Sequence, residues 1–114
     1  MDYSKLSEQE INFAVAKCFP ERFLFNEEGK PYEPIPDSMA AYSGTDFDEV
    51  EFDPCSNPAD AWPIIEGNFI AVVPIMNGWC ASSDEDAEIY CAHKNPLRAA
   101  AIVFLMMQEK NDAS

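Results

Sequence analysis

Three helix starts are written into this chain, and they fix where helical and extended segments can lie. Ser7-Glu8-Gln9-Glu10 is a capping box: the Ser7 hydroxyl takes the N–H of Glu10, and the Glu10 carboxylate reaches back to the N–H of Ser7. Asn57-Pro58 and Asn95-Pro96 each join an N-cap amide to a proline suited to the first helical position. The first start predicts a helix over about 7–19. Leu6 and Ile11 stand at its staple positions, and Ile11, Val15, Cys18 and Phe19 form its apolar stripe. Pro20 ends it. The second start predicts a short or kinked element, because Pro63 lies too deep for the first turn. Trp62 and Ile65 are expected to face the core there, and Gly67 to stand just beyond the helix end. The third start opens a helix from Leu97 to about Lys110. That segment is apolar nearly all round, so it should be buried on more than one side.

Between these helices the chain reads as strands and turns. Arg22–Phe25 is a short strand, and Asn26–Gly29 a turn with Gly29 supplying positive φ. Pro31, Pro34 and Pro36 argue against a central strand in the next stretch. Met39–Tyr42 reads as a strand closed by Ser43-Gly44. In 48–53, Val50 and Phe52 alternate with Glu49, Glu51 and Asp53, giving a strand with one acidic, wet face. Asn68–Ile75 is an apolar, β-branched run suited to a central strand, at least to Val73. Trp79–Ser82 and Glu88–Ala92 then form a hairpin around Asp84–Ala87. With that loop, Cys80 lies opposite Cys91, and Trp79, Ala81, Tyr90 and Ala92 share a face. The order predicts one α+β domain over 1–114: an antiparallel sheet of four to five strands with the N-terminal and C-terminal helices packed on it.

Charge sets the classes of partner. The chain has 21 acidic and 7 basic residues in 114, a net of −14. That balance opposes direct nucleic-acid binding, which needs a basic footprint, and docking on anionic lipid. The N-terminus has no signal-like apolar segment, and the longest apolar run, Ala99–Met107, is far short of the ~20 residues that span a bilayer. The chain is therefore expected to be soluble and cytoplasmic, with Cys18, Cys55, Cys80 and Cys91 as free thiols.

Two acidic clusters stand out: Asp46, Asp48, Glu49, Glu51 and Asp53, then Asp84, Glu85 and Asp86. A calcium loop needs an oxygen ligand at position 5, glycine at 6 and glutamate at 12. Counted from Asp46 those positions hold Val50, Glu51 and Asn57, so the match fails. The clusters read instead as solvated faces or as a carboxylate surface for a basic partner. Duplex DNA carries one negative charge per ~1.7 Å of axis, and a rigid acidic face can imitate it. Cys80, Cys91 and His93 are the residues open to a metal or Cys–His alternative, but they lack the short paired spacing of zinc sites. Nucleophile elbow, phosphate loop and zincin motifs are absent from the sequence. The reading is non-enzymatic, with no cofactor and no metal.

Three stretches resemble one family. They are Met1–Ser7 running into Glu10-Ile11-Asn12; Phe52–Cys55 with Asn57-Pro-Ala-Asp-Ala-Trp-Pro-Ile-Ile65; and Asn95-Pro-Leu-Arg-Ala-Ala100 with Ile102–Met107. They resemble the NinX-like proteins of lambdoid phages and prophages, a family without an assigned activity. Residues 20–50 are more proline-rich and acidic than that pattern. The resemblance implies an accessory protein encoded by a phage or prophage and working in the bacterial host's cytoplasm. Asp60, Trp62, Pro63, Asn95, Pro96 and Arg98 are its motif residues, read as structural. Asp60 at the third helical position suits the helix dipole, whereas Arg98 in a first turn opposes it, so Arg98 is expected to pair with a carboxylate such as Asp60. Two partner types follow: a basic host or phage protein met by the acidic surface, or a second copy met through the C-terminal apolar helix.

Overall fold

The computed structural model describes residues 3–36, 47–86 and 88–113. Ser7 caps the first helix, α1 (Glu8–Lys17), and both halves of the capping box form. A short 3₁₀ turn, Tyr3–Lys5, precedes it. Leu6 packs on the core and Ile11 is fully buried, as the staple predicts. Cys18 does not join the buried stripe; it is the exposed C-cap residue.

Among the described residues six strands follow, in two separate sheets: β1 (Leu24–Phe25), β2 (Pro31–Pro36) and β3 (Phe47–Glu51), then β4 (Ile70–Ile75), β5 (Gly78–Ser83) and β6 (Tyr90–His93). The sheets run β1-β2-β3 and β4-β5-β6, all neighbours antiparallel. The α+β class and the antiparallel pairing stand, and the strand number is close to the four to five expected, but among the described residues the strands form two sheets in place of one. The turn after β3 and a helix intervene before β4, which finds its partner in β5 instead.

The proline-rich segment is likewise corrected: β2 is the middle strand of its sheet. The reason lies in backbone parity. The Pro31 carbonyl accepts from Phe52 on the β3 side, while the Lys30 carbonyl accepts from Asn26 on the β1 side. Even-numbered residues of β2 thus turn their backbone groups toward β1, which reaches only Pro31 and Tyr32. Pro34 and Pro36 place their missing N–H groups on a side where, among the described residues, no strand is paired to receive them. The turn before β2 forms as expected, with Gly29 at φ 80° and the Asn26 side chain accepting from the N–H of Glu28 and Lys30. The strand expected at Met39–Tyr42 lies outside the described residues.

The second helix, α2 (Pro58–Gly67), carries Asn57 as N-cap and runs through Pro63 for ten residues. Its buried stripe is Ala61, Ile64 and Ile65. That phase leaves Trp62 off the stripe and 60% exposed, which corrects its expected core position. Gly67 is the last helical residue, and the left-handed residue past the end is Phe69, at φ 54°. A side chain in that region costs roughly 1–2 kcal/mol, and the Phe69 ring is 68% exposed, so its burial offsets little. Phe69→Gly should therefore raise stability by about 0.5–1 kcal/mol, the strain relieved less the entropy glycine adds to the unfolded chain. Urea unfolding at constant m-value measures it.

The third helix, α3 (Pro96–Ala113), is the axis of the core. Every residue from Ala99 to Leu105 is buried. The helix contacts β4, β5 and β6 as well as α1 and α2. Its expected burial on more than one side is thus met within one chain over Ala99–Leu105. Phe19 stacks on Phe104 at 5.7 Å, and Phe23 on Phe52 at 4.1 Å, which ties the first sheet into the same cluster.

Candidate functional site

The motif residues converge on one polar junction. Asn12, buried on α1, donates to the Asp53 carboxylate at 2.8 Å and accepts from the N–H of Cys55 at 3.2 Å. The Asp60 carboxylate takes the N–H of Asp53 at 2.9 Å. Asn95 caps α3 by accepting from Leu97 and Arg98, and its amide donates to the Cys55 carbonyl at 2.6 Å. Arg98 is buried and donates to the Leu6 carbonyl. Asp60 and Arg98 thus serve backbone groups of different segments, in place of the direct pairing expected between them. Together these bonds clamp α1, the turn after β3, α2 and α3. Cys55 sits fully buried in this junction, and burial, followed by the nearby Glu8 and Asp53 carboxylates, pushes its thiol up to about 12. It is an inert thiol. Asn12 was not singled out from sequence; a polar residue on an otherwise apolar helix face was the available signal.

The acidic residues divide differently from the expectation. Asp46 lies outside the described residues, and Asp48 and Glu49 lie on β3. Glu51 is exposed, but Asp53 leaves the wet face for the junction. Asp84 and Glu85 are exposed in the β5–β6 loop. Asp86 in that loop pairs with Lys110 of α3, which lowers its pKa. Its bond to the N–H of Glu88 shapes the loop. The two clusters therefore sit on different sheets. An open groove of about 470 Å³ between α1 and the β1–β2 turn, lined by Leu6, Phe13, Ala14 and Glu28 among others, contains none of the predicted site residues.

Residues 2–108 match the family model described as Bacteriophage P22, NinX. The chain belongs to this family. Within it the Asn57–Ile65 and Asn95–Ala100 blocks that carry the resemblance are now seen to supply two helix caps and the junction between them. No curated protein and no solved structure shows a significant match to this NinX-family chain. Among its described residues no helix is long and apolar enough to cross a membrane.

The hairpin of the NinX-family chain differs from its expected register by one residue. Ser83 pairs with Ile89, so the loop spans Asp84–Glu88 and is one residue longer than expected. Cys80 then lies opposite Ala92, and Ala81 opposite Cys91. A one-residue slip sends every side chain of the strand to the other face. Cys91 and His93 consequently share the α3-facing side with Trp79 and Ala81, while Cys80 faces away with Tyr90 and Ala92. This takes Cys80 out of the expected Cys80–Cys91–His93 grouping, while Cys91 and His93 share a face as expected. The His93 side chain bonds locally, its Nδ1 accepting the N–H of Asn95 at 2.9 Å, directly before α3.

The same register exposes a surface that sequence reasoning missed. β4 is an edge strand, not a central one. Its outward residues Ala71, Val73 and Ile75 join Cys80, Ser82, Tyr90 and Ala92 on the side away from α3. An antiparallel sheet covered on one face ordinarily shows polar residues on the other. Here the outer face carries no charged side chain, on a chain with net charge −14.

Proposed function

We propose that this NinX-family chain is a non-enzymatic phage accessory protein that holds a basic host or phage protein against its carboxylates. One observation carries the reading. Seven basic residues can neutralise at most seven of the 21 acidic ones, and the described carboxylates Glu51, Asp84, Glu85 and Glu88 are exposed. Such a surplus creates a field that speeds encounter with a positive surface and selects against negative ones. The partner we propose has a groove built for nucleic acid, because a row of fixed carboxylates presents a field of the same sign to that groove.

Capture from host lysate at low and moderate salt tests it. The expected result is a specific basic protein retained at low salt, released by duplex DNA, and held at least about tenfold less by Glu49→Lys with Glu51→Lys. A specific partner whose retention ignores both the charge reversal and the DNA would remove the charge mechanism.

A further inference from the structure

We infer that the uncharged outer face of β4-β5-β6 is the interface of a two-fold homodimer in which the strands of the two copies run antiparallel across each other. The face is a grid of three rows. Ala71, Ser82 and Tyr90 form one; Val73, Cys80 and Ala92 form the middle; Ile75 and Gly78 form the third. Its exposed apolar groups are substantial: Val73, Ile75 and Tyr90 are each about half or more accessible to solvent. Two copies of a chain with net charge −14 repel each other, and the strand residues of this face add no carboxylate to that repulsion.

The charges at the two ends of the grid choose the symmetry axis. Asp84, Glu85 and Glu88 lie beyond the Ser82–Tyr90 row. Lys94 lies at the opposite end, where its Cα stands close to Gly78. A two-fold axis parallel to the strands would stack one acidic loop over the other. An axis across the strands sets each acidic loop over the partner's Lys94 end. It also seats bulky on small: Ile75 falls over Ala71 of the other copy, while Cys80 stays near the axis. Isologous contacts of this kind need such self-complementarity. Two strands of six residues and one of four offer a plane of about 250 Å² at ~4.8 Å between strands and ~3.3 Å per residue. That is small beside the roughly 800 Å² per partner of a standard interface. The dimer is therefore concentration-dependent, and the charged ends fix its orientation.

Sedimentation equilibrium of the full chain from about 10 μM to about 1 mM tests this. The expected result is a monomer–dimer equilibrium, weakened at least tenfold by Val73→Lys and by Ala92→Lys, both at exposed positions that should leave folding intact. Lys94→Glu should weaken it too, and adding Glu85→Lys should restore it, a rescue that a purely structural role would not give. With Cys18→Ser as background, a short bis-maleimide should join two copies through Cys80. A chain that stays monomeric at about 1 mM, or a dimer indifferent to Val73→Lys and Ala92→Lys, overturns the inference. In either case the carboxylate surface and its lysate test are untouched, since no partner capture enters these measurements.

Discussion

Phe52→Ala should cost about 3–5 kcal/mol, the range for losing a buried phenylalanine ring with its cavity. Phe52 is 3% exposed and stacks on Phe23. It follows β3 directly, and its N–H donates to the Pro31 carbonyl, so its ring brings the first sheet into the core that α3 organises. A domain of ordinary stability holds only about 5–15 kcal/mol in total. Urea unfolding should therefore show a large fall in midpoint. Phe52→Leu keeps the site apolar and should cost under about 1.5–2 kcal/mol. If both variants lose the same amount, side-chain volume is not what anchors this sheet.

Asn12→Ala should cost about 2–4 kcal/mol for a different reason. It removes the acceptor for a buried N–H, that of Cys55, and the donor to the Asp53 carboxylate. Asn12→Asp makes a sharper test. It keeps an acceptor of the same shape but sets two carboxylates at the 2.8 Å contact Asn12 now makes with Asp53. Like charges that close raise the pKa of the pair above the unfolded values. The folded state then binds the extra proton more readily, so the variant's deficit should be largest near pH 7 and shrink as the pH falls through the raised pKa. A deficit independent of pH between 4 and 7 would show that the two side chains are not in contact.

The helix starts were legible because each is a local device. The capping box and both Asn-Pro caps need only a few consecutive residues to satisfy backbone groups that any helix end leaves open. The errors share the opposite character. Prolines read as barring a central strand, yet Pro34 and Pro36 sit where the neighbouring strand has already ended. The run Asn68–Ile75 read as a central strand, since an apolar composition does not distinguish a strand paired on both sides from an edge strand with an open apolar face. One extra loop residue separated Cys80 from Cys91. Trp62 was lost to helix phase, which Ala61 and its neighbours settled by packing. Of the candidate surfaces, the acidic loop was visible in sequence, and the uncharged sheet face was visible only through strand register.

What the chain's own order of residues determined is where helices begin, which segments are apolar, and how unbalanced its charge is, because capping, patterning and ionisation act within a few residues of each group. What only the tertiary structure decided is which face of each element is covered. Burial is shared between segments far apart in sequence, so Asn12 becomes a buried bridge to Asp53 and Cys55, while Val73 and Tyr90 are left bare on a sheet whose other side α3 already fills.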